Sequence, residues 1–335
     1  MNSLTSNITM FFTNYLPHTV GYSDNTIKSY RDTFVLLFSY AESNRLLKRS
    51  KLSIELFYKE NIISFLEWLE SDRSASISTR NQRLAALKSF SRYMSLNSVE
   101  YLDTFQAILD IPPKKGLSKQ VDYLSVDAVK QILIEPDINS VGGIRDLAIL
   151  SLLYESGCRV QELIDIKYAD LSLNSPATVI VTGKGNKSRI IPISSNVVSI
   201  LAKYIMVYKI SDSAATLFVN RQGTALTRSG IAYILKKYTD SARTKNPQMF
   251  GNLVVHPHVL RHSKAMHLLE SGVNLVYIRD FLGHSSVITT EIYAKANPEI
   301  KRKYLEEAAA NIDISIDKYS NEEKESLLEW LKHNI

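Results

Sequence analysis

A mainly α chain (α+β) is the fold class that the sequence predicts: an all-helical amino-terminal domain, then a mixed, mostly helical domain with one small β-sheet. Three observations carry this. Apolar residues recur at helical spacing through most of the chain. One stretch, 177–193, switches to β-branched runs around a glycine-rich turn. A basic, proline-containing break, IPPKKGLSK from Ile111 to Lys119, interrupts the helical pattern between the two parts. At 335 residues the chain is long enough to build a core in each.

In chain order, residues 1–106 read as the first domain. Ile27, Tyr30, Phe34, Leu37, Phe38 and Ala41 place a helix over Asn25–Ala41, with Ser23 or Asp24 as its cap. A second helix fits Lys59–Leu69, with Ile62, Phe65, Leu66 and Leu69 on one side. A third fits Thr79–Met94, where Arg80, Arg83, Lys88 and Arg92 fall around an apolar stripe, preceded by the hydroxyls of Ser76 and Ser78. Such a basic helix is by default a solvated face, but it also suits a phosphate backbone. Residues 107–122 form the linker, and its Lys114 and Lys115 are candidate phosphate contacts.

The second domain is expected over 123–311. Ser125 caps a helix through Leu133, and Gly143–Glu155 forms another that Gly157 ends. A new helix begins near Arg159, which sets Arg159 and Glu162 three residues apart on one face; in isolation this is a surface ion pair of little energetic weight. Thr178–Val181 and Arg189–Ile193 flank Gly183-Lys184-Gly185-Asn186 as a β-hairpin. Helices over Ser194–Tyr208 and Thr227–Ala242 follow, with a short strand at Leu217–Asn220 between them. Pro298–Asn311 is a further helix, and 312–335 is a tail whose helix runs from Ser320 to Asn334.

Composition narrows the function classes. Hydrophobic residues make up 45% and charged ones 22%, which is ordinary for a globular protein. The net charge of +6 is compatible with a polyanionic partner. Cys158 is the one cysteine, so no intramolecular disulfide and no cysteine-based metal site can form, and a cytoplasmic setting is expected. No apolar run approaches the ~20 residues of a membrane span. Carboxylates or Cys and His at metal-ligand spacing are absent, so neither a metal nor a cofactor is expected.

The segment from His256 to Tyr293 carries the chemistry. Pro257 can open a helix on which His258 and Arg261 share one face. His284 follows Gly283 in a loop, and Tyr293 lies nine residues on, in another short helical segment. A tyrosine needs help as a nucleophile, because its ordinary pKa is about 10. A phosphodiester under attack needs fixed donors for its developing charge, and histidines with a forked guanidinium supply both needs. His262 and His267, on the same helix, read as packing or surface residues.

The runs His258-Val259-Leu260-Arg261, Leu282-Gly283-His284 and Thr289-Thr290-Glu291-Ile292-Tyr293, in this order, resemble the carboxy-terminal signature of the tyrosine recombinases, the phage integrase and Xer-type family. Gly157 to Leu163 resembles the family's first arginine motif. The resemblance implies a helical core-binding domain over 1–106 and a catalytic domain over 123–311. It implies Tyr293 as the nucleophile that forms a 3′-phosphotyrosyl link, with no ATP needed for rejoining. Arg159 and Arg261 then serve the scissile phosphate, with Glu162 in support. His258 is the proton acceptor or hydrogen-bond partner near the nucleophile, His284 is the second phosphate donor, and Lys184 is the general acid, preferred by its place in the motif over Lys187 and Arg189. The expected partner is double-stranded DNA with paired recombination sites, engaged as a homotetramer or a hetero-tetramer with a related recombinase through a Holliday junction. The expected enzyme is thus a metal-independent site-specific recombinase of Xer-like or transposon-borne type. The tail helix is expected to dock on its own domain or pass to a neighbouring protomer. A type IB topoisomerase and a non-catalytic DNA-binding regulator on the same fold are the alternatives.

Overall fold

A computed structural model describes residues 3–43, 53–116, 121–183, 185–284, 286, 290–293, 302 and 321–334. The chain divides into two compact units, Met1–Lys119 and Gln120–Ile335.

The first unit is helical. Helices α2 (Asp24–Ser43), α3 (Lys59–Ser71) and α4 (Ile77–Asn97) cover the three predicted segments, each extended by a residue or more at one end or both. Two further pieces escape apolar periodicity. Helix α1 (Leu4–Met10) starts on Ser3, whose hydroxyl accepts from the Ser6 N–H, and continues as a wider π-type turn over Phe11–Thr19. Helix α5 (Leu102–Leu109) runs past 106 into the segment assigned to the linker, because Ile108 and Ile111 are needed in the core. Phe90 of α4 is the hub of that core, meeting Phe11, Phe34 and Phe105 edge-on at 5.1, 5.2 and 5.6 Å between ring centroids. Pairs of this kind each contribute about 0.5–1.5 kcal/mol beyond burial alone.

The basic residues of α4 serve this packing. Arg83 donates to the Ser29 carbonyl and the Thr33 hydroxyl, Lys88 reaches the Leu109 carbonyl, and Arg80 lies 3.8 Å from Glu70. Lys114 pairs with Glu70 as well and, like Arg92 and Lys115, is exposed. The Ser76 hydroxyl caps α4.

In the second unit α6 (Val126–Ile134), α7 (Val141–Ser156), α9 (Ser195–Tyr208), α10 (Arg228–Lys245) and α12 (Pro257–Glu270) surround one core. Helix α7 is buried nearly all round, as its run LAILSLL, apolar but for Ser151, suggests. Gly157 ends it with φ +54°, a conformation that favours glycine, and α8 (Val160–Asp165) starts three residues later. The predicted hairpin is present as β2 (Thr178–Thr182) and β3 (Ser188–Pro192), and β1 (Leu171–Ser172) adds an antiparallel edge to give the order β1-β2-β3. Val179, Val181 and Ile191 face the core, while Ile180 and Ile190 face outward.

The strand expected at Leu217–Asn220 does not form. That segment holds only single bridges, Lys167 to Thr216 and Val219 to Ala225, because Leu217 and Phe218 are both drawn into the core and break the alternation a strand requires. A short helix, α11 (Pro247–Phe250), and α13 (Leu275–Leu282) complete the unit before the tail. Apart from residue 302, the expected helix over Pro298–Asn311 lies outside the described residues, as does the Ser320 cap. The tail itself is helical over Asn321–Asn334, with Leu328, Trp330 and Leu331 exposed. Among the described residues no helix is long and apolar enough to cross a membrane.

Candidate active site

The site grows from the breaks between elements. Arg159 occupies the position just before α8, and Glu162, in the first turn, reaches back to it. The Glu162 carboxylate accepts from the Arg159 backbone N–H at 2.9 Å and from its guanidinium at 2.7 Å. It also accepts from Arg189 of β3 at 2.7 Å, and Arg189 donates from Nε to the Phe281 carbonyl at 2.8 Å. Glu162 is 5% exposed, so this is a buried carboxylate shared by two cations, not the surface pair that spacing alone suggests. Burial pushes its carboxyl upward, but the hydrogen bonds from Arg189 and Arg159 outweigh it and the net shift is downward. Arg159 itself keeps 40% of its side chain open to solvent.

Gly283 shows how closely this is packed. It ends α13 with φ +66°, and a Cβ there would stand 2.8 Å from Nη1 and 3.2 Å from Cζ of Arg189. Gly283→Ala is therefore expected to cost about 2–4 kcal/mol, from the left-handed backbone and the overpacking together. Denaturant unfolding of the variant measures this; an unchanged midpoint would mean that Arg189 moves aside freely.

Arg261, on α12, is 3% exposed and ties two loops together. Its Nη1 donates to the Gly157 carbonyl and its Nη2 to the Leu282 carbonyl, both at 2.7 Å. Those carbonyls sit beside the residues that precede Arg159 and His284. Burial, then neighbouring Arg159, brings its pKa down to about 10, which leaves it cationic at neutral pH. One N–H on each terminal nitrogen remains to serve an anion.

Residues 290–293 are helical and put the Tyr293 ring, 1% exposed, into a cluster with Ala265, Met266, Leu269, Ile278 and Leu282. Burial raises the phenol's pKa, against the pull of Arg261 and Arg159. Its hydroxyl lies 2.9 Å from Nδ1 of His262. The His284 ring lies parallel to Tyr293 with centroids 6.5 Å apart, and its Nδ1 is 3.1 Å from the Thr290 hydroxyl. Desolvation, then Arg261 and Arg159, brings the His284 pKa down to about 4, so a neutral imidazole faces the cleft. His258 is exposed one helical turn before His262, and its ring is 6.4 Å from that of His262.

A cleft of about 510 Å³ opens in front, lined by Arg159, Lys187, Arg189, Arg279 and His284, with Asp280 at Arg279. Four cationic side chains against one carboxylate make it an anion site. Lys184 lies outside the described residues; Gly183 and Lys187, on either side of it, both line the cleft. Among the described residues no three His, Cys, Asp or Glu side chains converge in a way that would hold a metal.

Of the residues expected from sequence, the structure gathers Arg159, Glu162, Arg261, His284 and Tyr293 into one neighbourhood, with His258 exposed beside His262, and it adds two residues. Arg189, in sequence only a competitor of Lys184, shares the inward face of β3 with Ile191, and an arginine there requires a carboxylate. His262 stands four residues from His258, on the same side of α12, and is the hydroxyl's partner and not a packing residue. His267 is packing, as expected, bonded to the Tyr154 hydroxyl and the Leu124 carbonyl.

Both units of the chain have relatives among known proteins. Residues 122–299 match the phage integrase family, and residues 11–96 match the phage integrase N-terminal SAM-like domain. The chain is 34% identical over 303 residues to the putative integrase/recombinase y4rC of Sinorhizobium fredii, covering 90% of this chain and 91% of that protein. It is 32% identical to the tyrosine recombinase XerD of Staphylococcus epidermidis, covering 87% and 95% respectively. Its fold is that of the Tn1549 transposon integrase solved in complex with transposon right end DNA, with a TM-score of 0.69 at 17% identity over 90% of this chain and 99% of the other. The XerH recombinase in a post-cleavage complex with palindromic difH substrate gives a TM-score of 0.67 at 22% identity, over 85% and 79%.

Proposed function

The chain belongs to the phage integrase family, the tyrosine recombinases, and from that premise we propose how its own residues cut and rejoin DNA at specific sites. The observation that supports the reading best is the cleft itself: Arg159 open to solvent, Arg189 and Lys187 beside it, and His284 leading back to the Tyr293 ring. A single phosphodiester brings the negative charge that these groups want.

In this reading the Tyr293 oxygen attacks the scissile phosphorus and the bond to the 5′-oxygen breaks. A 3′-phosphotyrosyl link and a free 5′-hydroxyl result. Because the link conserves the phosphodiester bond energy, a 5′-hydroxyl from a second duplex can reverse the step without ATP. Arg159 and the free N–H groups of Arg261 hold the non-bridging oxygens, where a fork gives two directed bonds. His284 donates to the same phosphate, and His258, exposed at the start of α12, is its further hydrogen-bond partner. Lys184, which lies between β2 and β3 in the sequence, protonates the departing 5′-oxygen.

The first unit supplies further backbone contacts, with Arg92, Lys114 and Lys115 among its exposed cations, whereas Arg80, Arg83 and Lys88 act mainly through the shape they maintain. Two DNA sites are paired by four protomers, identical or mixed with a related recombinase, and strands exchange in two steps through a Holliday junction. The tail helix, with its exposed Leu328, Trp330 and Leu331, joins neighbouring protomers.

The test is a supercoiled plasmid carrying two copies of DNA from the flanks of the chain's own gene. Deletion or inversion of the intervening segment is expected. Relaxation of supercoils with no joining of the two sites would replace the recombinase reading with that of a type IB topoisomerase. Within this frame Arg261→Lys is expected to fail, since an ammonium on a flexible stem cannot bridge the Gly157 and Leu282 carbonyls. One buried carbonyl is left unpaired at about 1–3 kcal/mol, and the loops that bear Arg159 and His284 are released. Recombination at native levels in that variant would remove Arg261 from the site.

A further inference from the structure

We propose that His262 takes the phenolic proton of Tyr293 as the tyrosine attacks, and so acts as the general base of cleavage and, in reverse, as the acid of rejoining. This rests on the reading of Tyr293 as the nucleophile.

The geometry points to it directly. The Tyr293 hydroxyl is 2.9 Å from Nδ1 of His262, within hydrogen-bond reach, and the two rings stand 5.7 Å apart at 58°. Tyr293 is 1% exposed, which denies bulk water the role of acceptor while the hydroxyl is held there. A neutral imidazole with Nδ1 unprotonated has one lone pair to offer, directed at that oxygen. As the Tyr293 oxygen bonds to phosphorus, its O–H pair stays on oxygen and the proton passes to Nδ1. The bond to the 5′-oxygen breaks with its electron pair, and that oxygen takes its own proton from the general acid, Lys184 in the reading above. On rejoining, the tyrosyl oxygen leaves phosphorus and takes the proton back from the imidazolium.

The surroundings keep this ring in the required form. His258 and Arg261 on α12, His256 just before it, and His284 across the ring of Tyr293 all disfavour positive charge on this ring, and Asp122 opposes them. With desolvation as the leading cause, the His262 pKa falls to about 4, so the ring is neutral across the working range. His256 and His258 continue the row outward, with ring separations of 6.2 and 6.4 Å, and both are exposed. His262 is therefore the inner end of a histidine row whose outer members meet solvent.

His262→Asn is the discriminating variant. An asparagine places its amide near the locus of Nδ1 and keeps a hydrogen bond to the tyrosine, but it cannot carry the proton; His262→Gln is the second variant should the first fold poorly. Covalent adduct formation on nicked DNA is measured in a single turnover, with DNA binding measured in parallel. A loss of about 10²- to 10⁴-fold in rate with binding retained is expected. The variant's rate is expected to climb with pH as the phenol ionises, more steeply than the native enzyme's. Replacing the bridging 5′-oxygen by sulfur, a leaving group that needs no proton, should leave His262→Asn slow while restoring Lys184→Ala. Adduct formation within a few-fold of native at every pH, or rescue of His262→Asn by the sulfur substrate, overturns the proposal. A native enzyme that forms no Tyr293-dependent adduct overturns instead the reading on which it rests.

Discussion

Tyr293→Phe is expected to abolish covalent attachment to DNA and to leave both the fold and DNA binding intact. The ring packs against Met266, Leu269, Ile278 and Leu282, and phenylalanine preserves all of that surface. The variant loses one hydrogen bond, to His262, worth about 0.5–1.5 kcal/mol. In the proposed reading the phosphate is held by Arg159, Arg261 and His284, whereas the phenolic oxygen bonds to His262. Chemistry, in contrast, loses its nucleophile entirely. The measurement uses duplex DNA from the gene's own flanks, nicked close to the scissile position, so that the short fragment bearing the 5′-hydroxyl diffuses away and the link cannot reverse. A band of retarded mobility on a denaturing gel is expected for the native chain and none for the variant. An adduct of equal yield from Tyr293→Phe would place the nucleophile elsewhere, and a variant that no longer binds would show that the hydroxyl supports the fold more than its packing implies.

The parts of this site that were legible in sequence are those made by local rules. Pro257 opens α12, Gly157 and Gly283 close α7 and α13 in the left-handed conformation, and the hairpin at 178–192 follows from β-branched runs about a glycine turn. The family was legible because Arg159, Glu162, Arg261, His284 and Tyr293 stand in a recognisable order. What was not legible depends on partners distant in the chain. Arg189 meets Glu162 across 27 residues and Phe281 across 92, and His262 meets Tyr293 across 31. No periodicity reports such a pairing. Arg83 and Lys88 make the same point in the first unit: read along α4 they are basic decoration, yet they fasten α2 and the end of α5 to it. The missing strand at Leu217–Asn220 failed for a related reason, since core demand on consecutive residues overrode β propensity.

Glu162→Ala is expected to cost about 3–5 kcal/mol of stability in the second unit, because it removes the one carboxylate between two cations and leaves Arg189, 13% exposed, charged and short of a partner. Arg159 is then free to swing into solvent, so adduct formation falls with stability. Glu162→Gln separates the two effects. Its amide keeps the shape and one oxygen acceptor, so the packing survives while the charge is lost. The pH dependence follows from the sign of the carboxyl's shift: it is held below its ordinary 4.5 in the folded chain by Arg189 and Arg159. A carboxyl so depressed contributes its full stabilisation at pH values above the unfolded pKa, and that contribution disappears as pH falls through the folded one. The native chain is therefore expected to exceed Glu162→Gln in stability at pH 7, with the gap constant down to about pH 5 and closing below that. Denaturant midpoints of both proteins between pH 3 and 7 measure the gap. A difference that stays flat throughout would mean that the charge on Glu162 contributes nothing, and that its two arginines are held by shape alone.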